Sequence, residues 1–85
     1  MTTFATRRSA RSSKAVMDRE TRLVREAIAM VAAGASPRVV VAGIRYGENI
    51  LDDARRMALA AGVRVNPIWR ADHSGADIVV VPINE

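Results

Sequence analysis

The residues best equipped for chemistry in this chain are arginines near its start. Arg7, Arg8, Arg11, Lys14, Arg19, Arg22 and Arg25 stand in the first 25 positions against only Asp18 and Glu20, a local charge of +5. Residues 26–85 hold six Arg against seven acids, or −1. The net +4 of the chain therefore belongs wholly to its N-terminal region. A guanidinium forks onto phosphate or carboxylate oxygens, and a series of such groups binds a polyanion by releasing its counterions. That attraction reads no base sequence. The plain alternative is a solvated tail that only aids solubility. Arg outnumbers Lys by twelve to one, which a compositional bias also produces.

A second grouping depends on topology. A strand ending near Ile44 and another ending near Trp69, if parallel, bring Arg45, Tyr46, Gly47, Glu48 and Asn49 to the same sheet edge as Arg70, Asp72, His73 and Ser74. Open α/β sheets bind ligands at that edge, and the start of a following helix offers free amide donors to an anion. Gly43 and Gly47 complete neither a dinucleotide fingerprint nor a phosphate loop, since a third Gly and a Lys-Ser or Lys-Thr pair are missing. Their simplest roles are a turn at Gly47 and close packing at Gly43.

His73 between Asp72 and Ser74 has the residue types of a proton relay. Adjacent side chains diverge, however, and geometry rather than adjacency makes a triad. A solvent-exposed turn residue, or an interface or pH-sensing histidine, fits this spacing better. No catalytic residue is assigned. Trp69 is the only Trp. It packs over the sheet end, anchors a partner or stacks on a nucleobase, and Tyr46 has the same choices. Tyr46, Trp69 and His73 are the expected partner-binding residues. The expected phosphate contacts are the seven basic residues above with Arg45 and Arg70.

Several classes are excluded by composition. Without Cys there is no disulfide scaffold, thiolate zinc site, iron–sulfur ligation or thiol catalysis. One His provides no His-based metal cluster within a chain, so no cofactor or metal is expected. No run of 18 apolar residues is present, so no membrane span is expected. The Arg7–Arg8 pair lacks the apolar core of a twin-arginine export signal, and an Arg/Ser-rich targeting peptide fits by composition alone. The expected location is cytoplasmic.

The apolar and charged fractions, 49% and 26%, are ordinary for a globular domain, and 85 residues make one domain at most. Residues 1–13 are Thr, Ser, Ala and Arg with little to bury, and read as a disordered basic arm. Residues 14–33 carry apolar side chains at three- and four-residue steps. They predict a helix whose stripe centres on Met17, Val24, Ile28 and Val31, widened by Leu23, Ala27 and Met30. Gly34 marks its stop.

Arg38 to Ile44 is a strand with a continuous apolar run, the pattern of a central strand covered on both faces. Asn49 caps a second helix, with Asp52 completing a capping box and Gly62 ending it. Val63 to Trp69 is an edge strand, because Pro67 is poorly tolerated in a central ladder. Asp77 to Ile83 is a third strand. The loop before it is too short for a parallel crossover, so it pairs antiparallel with the second; the alternative puts it beyond the first strand. The expected fold is a small two-layer α/β sandwich, order helix-strand-helix-strand-strand. Its mixed three-stranded sheet has a parallel strand-helix-strand core. With both helices on one face, the other leaves Val residues exposed, and self-association as a dimer would cover them.

Two partial resemblances accompany this pattern. Val39-Val40-Val41-Ala42-Gly43, the helix after it and Gly62-Val63-Arg64-Val65 resemble the cytoplasmic domain of flagellar and type III secretion export-switch proteins. That family's self-cleaving Asn-Pro-Thr-His motif is absent, Asn66-Pro67 being followed by Ile68-Trp69, so self-cleavage is not implied. The element order over residues 14–68 is similar to that of small ribosomal and kink-turn RNA-binding proteins, which close with further helix. Each resemblance covers about half the chain and rests on generic α/β patterning, so neither identifies a family. The second adds to the expectation of RNA binding.

Three functions follow. The first is a non-catalytic protein contacting nucleic-acid phosphates, DNA or RNA, through the basic arm and helix. The second is a regulatory module docking a partner protein through its sheet edge or exposed sheet face. The third is a small enzyme acting on an anionic substrate through Arg45, Asp72 and His73.

Overall fold

The computed structural model describes residues 2–72 and 74–84, with side chains described from Lys14 onward. Its elements are α1 (Thr2–Ala32), β1 (Val39–Ile44), α2 (Gly47–Ala61), β2 (Val63–Trp69) and β3 (Ala76–Pro82). The order helix-strand-helix-strand-strand is the one expected. The expected basic arm, residues 1–13, lies outside the described side chains.

The buried face of α1 is Glu20, Val24, Ala27, Ile28 and Val31, a stripe at steps of four, three, one and three that keeps to one side of a 3.6-residue helix. It is narrower than expected: Leu23 and Met30 are 42% and 44% exposed. The helix stops as its glycine predicts. Gly34 takes φ 76°, its N–H donates to the Val31 carbonyl, and the Ala35 N–H donates to the Met30 carbonyl. Together these bonds make a Schellman motif.

Helix α2 starts two residues before the expected Asn49 cap. Tyr46 is the N-cap, with no side-chain capping bond, and its carbonyl accepts from the Asn49 and Ile50 amides. The Asn49–Asp52 capping box does not form, because Asn49 already lies inside the first turn. Gly47, Ile50, Leu51, Ala54 and Ala58 face inward, and Gly62 closes the helix in the left-handed conformation at φ 75°.

The sheet corrects the expected topology. Its order is β1-β3-β2, and both β1 and β2 run antiparallel to β3. The sheet is wholly antiparallel; there is no mixed sheet and no parallel pair at its core. The β2–β3 hairpin forms as its short loop requires, but β3 then enters the gap between β1 and β2. The physical reason lies in which strand is apolar on both faces. Ile78, Val79, Val80 and Val81 of β3 are all buried, so the central place buries the most apolar surface there. In β1, which the sequence marked as central, Val40 is 48% exposed and Ala42 and Gly43 are exposed; β1 is an edge. The β1–β3 register gains one residue on β1 between Val41 and Ile44, a bulge that holds Gly43 at φ 71°.

Strand β2 is an edge, as Pro67 predicted. The Arg70 N–H donates to the Gly75 carbonyl and the Ile83 N–H to the Gly62 carbonyl. These bonds at the two ends of the hairpin turn the even-numbered β2 residues toward β3. Alternation leaves the backbone of Val63, Val65, Pro67 and Trp69 toward the open edge. Pro67, lacking an N–H, costs the ladder nothing there.

Side chains alternate across the sheet. Val63, Val65, Ala76, Ile78 and Val80 join Val24, Ala27, Ile28, Val31, Ile50, Leu51, Ala54 and Ala58 in one core, with Val39 and Val41 at its margin. The opposite face carries Val40, Val79 and Asn66 in one cross-strand row, with Arg64 opposite Val81 and Ile68 opposite Asp77. None of these belongs to the helix-covered core.

Candidate binding cleft at the sheet end

One buried carboxylate sets the geometry of this end of the molecule. Glu20, 4% exposed, reaches from α1 to the β1–α2 junction. It accepts the Arg45 N–H at 2.7 Å and the Tyr46 N–H at 2.8 Å, one on each oxygen. Burying a carboxylate is tolerable only when such partners replace its water. Two amides just before the start of α2 are thus occupied by the chain's own acid. Nothing in the sequence reading singled out Glu20 for this. The available signal was its position, four residues before Val24 and in phase with the apolar stripe.

The same contact orients α1. Its C-terminal end leads into β1, while Glu20 meets the residues just past the end of β1. The stretch upstream of Glu20 therefore belongs to the Arg45 end of the domain. Lys14, Arg19, Arg22 and Arg25 are all exposed and lie on the side of α1 away from the buried stripe, interspersed with Asp18 and Glu26. The side chains of Arg7, Arg8 and Arg11 lie outside the described residues.

Between the start of α2 and the end of the hairpin is a cleft of about 470 Å³ lined by Arg45, Glu48, Asn49, Trp69, Arg70 and Gly75. Arg45 and Arg70 thus meet at one site, as expected, although the strands that bring them there are not neighbours. Trp69 closes one side. A Cβ at Gly47 would stand 3.3 Å from the indole Cζ3 and 3.4 Å from Cη2. The absence of a side chain at Gly47 is what admits the ring against α2. Trp69 nonetheless stays 48% exposed, so it both packs over the sheet end and faces solvent.

The hairpin loop is drawn in tightly. Gly75 has φ 146°, and any Cβ there would collide with the Ile44 carbonyl oxygen. Asp77 accepts the N–H of the bulge residue Gly43 at 3.0 Å and the Arg70 Nη2 at 3.2 Å. The Gly43 amide first, and Arg70 second, hold its carboxyl below the ordinary 3.8. Arg70 keeps 47% of its side chain exposed, so part of its guanidinium fork remains open. Among the described residues Arg45 forms no ion pair.

Asp72 is held below its ordinary value by the Ser74 hydroxyl, 2.7 Å away, and by the Ser74 N–H at 3.0 Å. Ser74 and Asp72 therefore satisfy each other as a turn. His73 lies outside the described residues. Tyr46 is half-buried, and its backbone serves the Glu20 contact and the helix cap. Among the described residues no group of three or more His, Cys, Asp or Glu is arranged to hold a metal ion, and no helix is long and apolar enough to cross a membrane.

The cleft thus combines an open aromatic face, two guanidinium groups, a carboxylate and a carboxamide, the set that suits binding of an anionic or planar ligand. Comparison with known proteins adds no relative: no family model matches the chain, and neither a curated protein nor a solved structure does.

Proposed function

We propose that this protein binds nucleic acid without catalysis. In this reading Lys14, Arg19, Arg22 and Arg25 of α1, with Arg45 and Arg70 at the cleft, contact phosphates, and Arg7, Arg8 and Arg11 extend the same basic series. The observation that carries it is the Glu20 bridge, which ties the basic helix to the end of the domain where Arg45 and Arg70 stand. Charges gathered on one end act together on a polyanion, whereas charges scattered over a surface do not.

The test is fluorescence anisotropy of a labelled oligonucleotide over a salt series. Neutralising about five phosphates gives a slope near −4.5 in log affinity against log salt on duplex. Truncating residues 1–13 weakens binding to all sequences about equally. Binding that ignores both salt and truncation overturns the proposal.

A second reading, docking of another protein chain, draws on the uncovered sheet face. Val40, Ile68 and Ile83 are 48%, 56% and 45% exposed, and Val40 lies on an edge strand with no proline. Natural edges of that kind are usually blunted. A second copy is the partner that suits it. Antiparallel pairing of two β1 strands about Val40 sets Val39 against Val41 on both sides, the self-complementary arrangement of a two-fold dimer. Light scattering on the purified protein checks it, a monomer at all concentrations being the adverse result.

A further inference from the structure

Resting on the nucleic-acid reading, we infer that the cleft is a base-stacking site that favours single-stranded over duplex nucleic acid. The phosphate contacts of α1 do not distinguish the two forms. The cleft can, because an aromatic ring offers stacking only to a base whose own face is free, and in a duplex those faces are taken. Trp69 is nearly half exposed while its indole is braced against Gly47. A ring already fixed in place gives up little conformational freedom when a base settles on it.

The surroundings match a nucleotide rather than a purely apolar ligand. Arg45 and Arg70 line the same cleft as the ring, so a phosphate on either side of a stacked base meets a guanidinium. Asp77 fixes Arg70 through Nη2 at 3.2 Å and leaves the rest of its fork for such a contact. Glu48 and Asn49, exposed in the first turn of α2, supply an acceptor and a mixed donor–acceptor for the edge of a base. The volume of about 470 Å³ lies within the roughly 300–1,000 Å³ of small-ligand sites and admits one nucleotide unit. Glu48 repels phosphate and so offsets part, not all, of the attraction of the two guanidinium groups.

Because Trp69 is the only Trp, fluorescence of the full chain under tryptophan-selective excitation reports on this cleft alone. The experiment titrates the protein with a thymidine homo-oligonucleotide and, separately, with a duplex of equal length at the same salt. Anisotropy of a label on each nucleic acid is followed alongside the Trp emission. The single strand is expected to quench Trp69 and to bind more tightly than duplex. Trp69→Leu lowers single-strand affinity roughly ten-fold and lowers duplex affinity far less. If both forms bind with equal affinity and Trp emission does not move, the stacking site is overturned while phosphate binding stands. If neither form binds, both fall. Should Trp69→Leu fail to fold, shielding of Trp69 from acrylamide in the unsubstituted protein decides: protection by the single strand supports the site, and unchanged accessibility overturns it.

Discussion

Replacing Glu20 is the most informative perturbation of this fold. Its carboxylate accepts two backbone N–H groups at 2.7 and 2.8 Å from a position that is 4% exposed. Glu20→Ala leaves both amides without a partner at the junction of α1, β1 and α2. An unsatisfied buried donor costs about 1–3 kcal/mol, and water entering the vacated space offsets part of that. The expected loss is about 2–4 kcal/mol. A domain of this length has roughly 4–13 kcal/mol of stability at the usual per-residue scale, so the loss is a large share of the total.

Glu20→Gln is the informative companion. One oxygen remains to accept an N–H, but the new amide nitrogen faces the other donor, so about half of the loss is expected. Urea unfolding of the three proteins, followed by circular dichroism, should give midpoints in the order Glu, Gln, Ala with a common slope. Thermal midpoints fall by at least about 8 °C for Glu20→Ala, at about 4–8 °C per kcal/mol for domains of this size. A Glu20→Ala protein within about 0.5 kcal/mol of the original, the range of a featureless surface substitution, refutes the assignment of Glu20 as the tie between α1 and the sheet end. A reduced slope would instead mean that α1 undocks alone.

Other outcomes follow from the same geometry. Gly75→Ala forces a Cβ onto the Ile44 carbonyl at φ 146° and should lower stability by more than about 2 kcal/mol in urea unfolding, whereas Gly43→Ala, with open space around it, costs about 1 kcal/mol through its φ alone. Both Asp72 and Asp77 titrate below their ordinary 3.8 when folded. Their contribution is therefore complete above the unfolded value and is lost as pH falls through the lower folded value. Stability should decline on acidification below about pH 4, and Asp77→Asn should flatten part of that decline. Val40→Lys puts a charge on the open edge and should convert any dimer to monomer in light scattering without lowering the monomer's thermal midpoint by more than a few degrees.

The local structure was legible because it rests on local physics. Periodicity marked α2 and the part of α1 from residue 14 onward, and short apolar runs marked the three strands; Gly34 and Gly62 marked the helix ends; Pro67 marked β2 as an edge. The convergence of Arg45, Trp69 and Arg70 was legible for a related reason, since β1 and β2 run the same way whether or not they touch. The start of α2 was misread because the Asn49 side chain looked like a cap, while the helix begins on a backbone cap at Tyr46.

The sequence by itself determined the order of the elements, the centre of the buried stripe of α1 and the concentration of positive charge near the start. Tertiary structure alone decided the strand order. Two runs, Val39–Ile44 and Asp77–Ile83, were both nearly continuous in apolar residues. Only three-dimensional packing shows that β3 buries both faces between two neighbours while β1 leaves Val40 open. Glu20 belongs to the same category: an acid in an apolar stripe is unfavourable in the sequence, and becomes favourable only when folding brings two unpaired amides from positions 25 and 26 residues away onto its oxygens. Long-range hydrogen bonds and the competition for the central strand depend on what the rest of the chain leaves unsatisfied, and no local pattern records that.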